Sequence, residues 1–288
     1  MKGEPSVVVG HRQFVVSHII QTEWANLIAL AFFLGKIGAG LFMVSLFIDY
    51  PLGGVVGLII GVIGKGIAHL LYLGRPERFW RAIMRPDRSW IARGLIAVGF
   101  LAFFGTLKVL QMAGYINVSD LSGLLTGVAA FAALFVMIYD GFVMSHSPSI
   151  PLWNTALMPL LCLSYSVLGG VTLNVFLLEV VSGMGMKMLH SLEVSLLATN
   201  LLIVGIYTLN AIYATTAARR AIIQLVKGPY AALFYAGVIG VGLVLNLIIA
   251  LSGVGGVLPL LIIAVADLIG HFLIFYLLLK AGLFSLIY

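Results

Sequence analysis

Residues 24–48 read WANLIALAFFLGKIGAGLFMVSLFI, an apolar run that contains one charged side chain, Lys36. At a rise of about 1.5 Å per residue, a helix of this length exceeds the ~30 Å hydrocarbon core of a bilayer. The glycines and alanines in its second half would let neighbouring helices approach closely. The run therefore predicts a transmembrane helix packed among other helices.

Apolar runs of similar length recur along the rest of the chain. Hydrophobic residues make up 62% of the 288 residues and charged residues only 9%, whereas soluble domains carry about 25% charged residues. The chain has too few polar groups to cover itself in water, which excludes a soluble enzyme. We predict an all-α integral membrane protein with about eight transmembrane helices in two four-helix bundles, residues 1–144 and 145–288. The eight runs are 24–48, 53–73, 91–113, 121–144, 152–178, 190–213, 230–251 and 256–280.

The basic residues sort by membrane face. If the face with the N-terminus is called side A and the opposite face side B, only Lys108 and Lys187 fall on side B, and Lys36 and Lys65 fall inside the membrane. An excess of basic residues marks the cytoplasmic face. Side A and both termini are therefore expected to be cytoplasmic. The basic residues on side A are Lys2, Arg12, Arg75, Arg78, Arg81, Arg85, Arg88, Arg93, Arg219, Arg220, Lys227 and Lys280.

The chain has one cysteine and six histidines that could ligate a metal cofactor. Cys162 is the only cysteine, and an iron–sulfur cluster needs about four thiolates. We therefore expect no iron–sulfur cluster, haem or metal ion within this chain. His69 and His271 could in principle ligate a b-type haem from two helices. One such pair of histidines arises easily by chance, however, so we expect no haem. His190 and Glu193 form half of a metal-binding pattern without a second half.

Several ionisable residues of the first half fall at one membrane depth, where a charge is costly and indicates function. Lys36 and Lys65 are equally distant from the turn near Pro51, and His69 lies one helical turn from Lys65. The next residues at this depth are Tyr139 and Asp140, and Glu23 opens the first helix at the side-A interface. Asp140 is the carboxylate expected to pair the two lysines. Such a pocket could hydrogen-bond the carbonyls of a quinone and exchange protons with it; alternatively, the lysines only bridge helices or reach the interface.

A second group of ionisable residues lies in the second half of the chain. Asp267 and His271 are four residues apart in the last helix, and Glu193 lies in the sixth. These residues are candidates for a proton path. The alternative is that they only form hydrogen bonds between helices.

The polar loop between the second and third helices reads GRPERFWRAIMRPDRSW over residues 74–90. It predicts a docking surface for an acidic soluble subunit, or an interfacial segment whose arginines bind lipid phosphates and whose aromatic residues enter the headgroup region. The docking candidates are Arg75, Arg78, Arg81, Arg85, Arg88 and Arg93.

The stretch YLGRPERFWR at residues 72–81, followed by Arg85-Pro86 and by SWIARG at residues 89–94, resembles the NrfD/PsrC family. Weaker similarities are the glycine run at residues 35–40, the YDGF at residues 139–142 and the KAG at residues 280–282. Four positions depart from the family pattern: Lys36 interrupts the glycine run, Tyr72 and Asp140 replace a common Asp and Thr, and His271 replaces a frequent Arg.

This resemblance implies a membrane-anchor subunit of a multi-subunit oxidoreductase without a redox cofactor of its own. It implies electron exchange between a membrane quinone (menaquinone or ubiquinone) and a ferredoxin-like iron–sulfur subunit, which serves a molybdopterin catalytic subunit. The quinone-contacting tyrosine of the family would be Tyr139, and the location would be the prokaryotic cytoplasmic membrane. Several relatives dock their partners outside the cell, whereas the charges here favour the cytoplasm. A secondary transporter or proton-conducting protein is the alternative from another class.

Overall fold

The computed structural model describes residues 19–285 and confirms an all-α membrane protein. Eight helices are long and apolar enough to span a bilayer, and one shorter α-helix, Thr216–Val226, lies between the sixth and seventh of them. A 3₁₀ helix, Pro76–Met84, lies between the second and third. The predicted spans differ from the observed ones by a few residues at their ends. The helices are α1 Asn26–Phe47, α2 Pro51–Tyr72, α3 Trp90–Met112, α4 Ser119–Ser145, α5 Leu157–Val181, α6 Lys187–Ala214, α7 Thr216–Val226, α8 Leu233–Ser252 and α9 Val257–Lys280.

Local sequence sets where several helices begin and end. Pro51 occupies the first turn of α2, where its missing N–H costs nothing. The Ser89 side chain accepts a hydrogen bond from the Ala92 N–H and so caps α3, and Thr215 caps α7 in the same way. Gly253, with φ +65°, follows the last residue of α8 in the left-handed conformation that glycine adopts easily.

Helices α1 and α5 form the centre of the protein. Within their most apolar 18 residues, 78% and 67% are buried, against 22–44% for the other six spans. Both central helices contact α4 and α9 as well as each other. The outer helices direct many large apolar side chains outwards, as expected of surfaces covered by lipid. The division into two four-helix bundles stays a prediction, since α1 and α5 each contact helices of both halves.

The two described ends of the chain meet on side A. Strand β1, Ile19–Ile20, pairs antiparallel with β2, Leu283–Phe284, and α7 packs against β2. The Gln21 amide donates hydrogen bonds to the carbonyls of Trp24 and Leu279 at 2.8 and 2.5 Å. Side A therefore carries this strand pair, α7 and the 73–89 segment. Lys2 and Arg12, which were counted on this face, lie outside the described residues.

The contact between α1 and α5 depends on glycine. A Cβ atom on Gly170 would overlap the backbone of Gly40. We predict that Gly170→Ala destabilises the protein by about 1–3 kcal/mol, the usual cost of overpacking. Gly205→Ala is the matched control, since no atom lies within 4 Å of its Cβ position. Thermal unfolding in detergent measures both, and equal stability of the two variants would contradict the central packing described here.

Candidate functional site

Three charged side chains from three helices meet inside the membrane-spanning region. The Lys65 ammonium lies 3.2 and 3.3 Å from the two carboxylate oxygens of Asp140, and the Lys36 ammonium lies 3.6 Å from Asp140 Oδ2. Lys36 and Asp140 are fully buried and Lys65 is 2% exposed. The pairing of both lysines by Asp140, predicted from their depth, is thus observed. We call Lys36, Lys65 and Asp140 the charged triad.

Small residues of α1 make room for Lys65. A Cβ atom on Gly35 would lie 2.7 Å from the Lys65 ammonium, so a larger residue would displace that side chain. The Ala31 carbonyl accepts a further hydrogen bond from Lys65 at 3.2 Å. A π-helical stretch, Ile59–Gly64, ends directly before Lys65, and such stretches are frequent at functional sites.

Aromatic rings complete the surroundings of the two ammonium groups. The Lys36 Nζ lies 3.9 Å from the ring centroid of Phe275 and 5.1 Å from that of Phe32. The Lys65 Nζ lies 4.8 Å from the ring centroid of Tyr139. Cation–π contacts stabilise desolvated ammonium groups by about 2 kcal/mol. Sequence reasoning missed Phe32 and Phe275, because nothing in their local pattern distinguishes them from other apolar residues of the spans.

A cavity of about 190 Å³ adjoins the triad between α2, α3 and the 73–89 segment. Its polar lining consists of Lys65, His69 and Tyr139, and the His69 Nδ1 lies 3.1 Å from the Lys65 carbonyl oxygen. The remaining lining is apolar and includes Leu70, Leu73, Phe79 and Ile91, all of them partly exposed on the outer surface. The cavity thus opens towards lipid, while Asp140 and Lys36 lie behind its wall.

Gly94 positions Tyr139 in this wall. A Cβ atom at Gly94 would overlap the tyrosine ring, so only glycine allows the ring to pack flat on α3. The structure thus gives a role to Gly94, which lies within the SWIARG motif but was not predicted as a site residue. Glu23, which was predicted, is exposed and does not line the cavity; its backbone carbonyl lies 3.4 Å from the Tyr72 hydroxyl.

The 73–89 segment lies over the same cavity. Phe79 and Ala82 line the cavity from within this segment, and five of its arginines are exposed: Arg75, Arg78, Arg81, Arg85 and Arg88. We call these five residues the arginine surface. Arg93 differs, because its guanidinium donates to the carbonyls of Pro86 and Asp87 at 2.7 and 2.9 Å. It therefore holds the end of the segment in place.

The second predicted group lies in the other half of the chain. Glu193 and Asp267 are 1% exposed and His271 is fully buried. His271 lies among aromatic rings, with centroid distances of 5.2 Å to Tyr165 and 5.3 Å to Phe33. His69, the other histidine considered as a haem ligand, lines the lipid-facing cavity. Within residues 19–285, no group of three or more His, Cys, Asp or Glu residues is placed to hold a metal ion.

A larger groove of about 670 Å³ runs between α3 and α4. Its lining is apolar, with Phe100 and Phe131 among the wall residues, and Arg93 is its one charged residue. It offers no carboxylate, imidazole or phenol that could exchange protons with a ligand. The chemistry of the site therefore belongs to the smaller cavity beside the triad.

The ion pairs of the triad are expected to contribute to the stability of the folded protein. Asp140→Asn would leave two buried ammonium groups without a counter-charge, and breaking a buried ion pair typically costs about 3–5 kcal/mol. We predict a loss of that size in detergent unfolding, with part of it recovered when Lys36→Met is added and one unpaired charge is removed. An Asp140→Asn variant as stable as the wild type would show that the ion pairs contribute nothing.

Comparisons with known proteins agree with this architecture. The family model "Polysulphide reductase, NrfD" matches residues 15–286. A component of the polysulfide reductase of Wolinella succinogenes is 26% identical over a 264-residue alignment that covers 78% of this protein and 82% of that one. A component of the sulfite dehydrogenase of Allochromatium vinosum is 29% identical over a 118-residue alignment that covers 38% of this protein and 36% of that one.

These matches confirm two predictions made from the sequence. The resemblance over residues 72–94 pointed to the correct family. Both relatives are named as one component of an oxidoreductase, which supports a membrane subunit that works with catalytic partners. With its eight spans and a family match over nearly its whole length, the chain belongs to the NrfD family of oxidoreductase membrane subunits.

Proposed function

We propose that this chain is the quinone-reactive subunit of its complex and that the cavity beside the charged triad is the quinone site. It would pass electrons between a membrane quinone, menaquinone or ubiquinone, and a ferredoxin-like iron–sulfur subunit, which in turn serves a molybdopterin subunit. One observation carries this proposal. A lipid-facing cavity brings a phenol, an imidazole and an ammonium group together beside a buried carboxylate and beneath a basic surface.

The residues present fit a quinone. Its apolar tail requires an entrance from the bilayer, and the exposed apolar side chains of Leu70, Leu73 and Ile91 provide one. The cavity volume of about 190 Å³ is below the ~300–1,000 Å³ of typical ligand pockets. This volume suits a single head group whose tail stays in lipid.

Each polar residue has a role that follows from its position. Tyr139 and His69 would hydrogen-bond the two carbonyl oxygens and orient the ring. A bound quinone supplies two-electron, two-proton redox chemistry. Lys65 and Asp140 would hold or move the protons, because their charged groups already share hydrogen bonds at 3.2–3.3 Å. Lys36 contacts Asp140 from the side away from the cavity. Glu23 is left out of this site, because it is exposed.

The arginine surface would receive the iron–sulfur partner. Its five exposed cations would attract an acidic face and speed association. Because the same segment lines the cavity, a cluster docked there would lie near the quinone. The excess of basic residues on side A supports a cytoplasmic partner in a prokaryotic cytoplasmic membrane.

The phenol of Tyr139 is tested by Tyr139→Phe in the whole complex. We expect quinol-linked turnover to fall about 100-fold, at the lower end of the range for a lost hydrogen-bond donor to a reacting oxygen. Turnover with artificial dyes that bypass the cavity should be unchanged. Tyr207→Phe is the matched control, because Tyr207 is also buried but donates to the Leu152 carbonyl. Unchanged quinol turnover in Tyr139→Phe would remove this residue from the mechanism.

The arginine surface is tested by charge reversal with Arg78→Glu and Arg81→Glu together. We expect the iron–sulfur subunit to be lost from the purified complex in moderate salt, as measured by mass spectrometry of the subunits. Lys187→Glu on side B is the control and should keep the partner. Retention of the partner by the double variant would contradict this surface. A wild-type chain recovered alone and without quinone would favour the transporter alternative.

A further inference from the structure

The large groove between α3 and α4 carries a charge at one end and none at the other. Arg93 lines its side-A end, and Gly123 and Leu124 line its side-B end. Arg93 lies three residues into α3, which places its Cα about 4.5 Å inside the end of the helix. This depth is close to the lipid head groups. The groove therefore runs along the lipid-facing surface from a cation near head-group level to an apolar end.

The groove is hollow because glycines line part of it. No atom lies within 4 Å of the positions that Cβ atoms on Gly123 and Gly127 would occupy. Each glycine costs a helix about 1 kcal/mol relative to alanine, although a larger side chain would fit at both positions. Phe100 and Phe131, which are 50% and 68% exposed, form the walls. The hollow is thus built into the helices, and these residues leave it free for a ligand.

The dimensions of the groove suit a hydrocarbon chain. From Gly123 to Phe135 it follows α4 for about 18 Å, slightly more than one leaflet of the ~30 Å hydrocarbon core. Its volume of about 670 Å³, spread over that length, gives a mean cross-section of about 37 Å². A helix with its side chains is about 10–12 Å across and needs about 80–110 Å². The groove is therefore too narrow for a helix of a partner subunit, whereas an extended acyl chain is only one methylene group wide.

Arg93 offers a fixed cation with hydrogen-bond donors to spare. Two of the five N–H groups of its guanidinium donate to the carbonyls of Pro86 and Asp87. The other three make no hydrogen bond to the residues that the structure describes. The guanidinium carbon lies 4.5 Å from the ring centroid of Trp90, whose ring stacks on Phe142 at 4.5 Å. A guanidinium held in this way presents its remaining donors in a geometry that matches a phosphate.

The charges around Arg93 favour a ligand with a net negative charge. Arg85 and Arg88 of the 73–89 segment are exposed nearby in sequence, and Arg88 pairs with Asp87 at 3.2 Å. The Asp87 carboxylate therefore already has a cation of its own. Basic pockets between transmembrane helices on the cytoplasmic side bind anionic head groups. A zwitterionic phospholipid carries its own cation and gains less from this environment.

We propose that the groove binds an anionic phospholipid, with one acyl chain between α3 and α4 and its phosphate on Arg93. The same guanidinium holds the carbonyls of Pro86 and Asp87. The bound lipid thus helps to fix the end of the 73–89 segment, which lies over the cavity beside the charged triad. This site does not depend on the proposed quinone chemistry, because none of the residues that line that cavity takes part in it.

The test uses the whole complex, washed in detergent until its native phospholipids are removed. Phosphatidylglycerol or phosphatidylcholine with the same acyl chains is then added, and native mass spectrometry measures the lipid bound to this subunit. We expect the wild type to bind phosphatidylglycerol at least 10-fold more tightly than phosphatidylcholine. Replacing both Gly123→Leu and Gly127→Leu fills the groove and should weaken phosphatidylglycerol binding at least 10-fold. Arg93→Gln removes the charge and should bind the two lipids equally.

Gly99→Leu is the matched control, because its Cβ position is equally free of neighbouring atoms but Gly99 lies outside the groove lining; it should bind like the wild type. Wild-type binding of phosphatidylglycerol by the double glycine variant would overturn the proposal. So would a wild type that binds both lipids equally, or an Arg93→Gln variant that keeps the preference. A wild-type complex that binds neither lipid, because a protein subunit covers the groove, would overturn it too.

Discussion

Three charges in the centre of a lipid-covered protein are the constraint that organises this structure. One carboxylate shared by two ammonium groups leaves a net positive charge in the site, and burying charges is costly even when they are paired. Helices α1, α2 and α4 must hold the ammonium groups of Lys36 and Lys65 within 3.2–3.6 Å of the Asp140 carboxylate. The glycine contacts of α1, the aromatic rings around the ammonium groups and the adjoining cavity all follow from this requirement. A cluster that is so costly to bury is expected at a functional centre rather than at a structural contact.

The spans, the family and the depth of the charged residues could be predicted from the sequence, because they depend on hydrophobic runs and on a regular rise per residue. Counting residues from the turn at Pro51 was enough to place Lys36 and Lys65 at one level, and Asp140 was the nearest carboxylate by depth. The same counting could not show that Glu23 points outwards, since side-chain direction at the end of a helix depends on local packing. Gly94, Phe32 and Phe275 acquire their roles only through contacts between helices that are distant in sequence.

The site lies where two environments meet. Its apolar rim faces lipid, which suits a hydrophobic carrier, and the 73–89 segment above it faces water, which suits a soluble partner. This proximity allows one cavity to serve an electron carrier in the membrane and an acceptor outside it.

The central claim is that a quinone binds in the cavity between α2 and α3, and a photoreactive quinone tests it most directly. The purified complex would be irradiated with a head-group azido-quinone, digested, and analysed for labelled peptides by mass spectrometry. The account predicts labelling within residues 65–98 and at Tyr139, and loss of that labelling when excess unmodified quinone competes. Labelling confined to residues 123–131, in the apolar groove between α3 and α4, would contradict the account and place the quinone away from the charged triad.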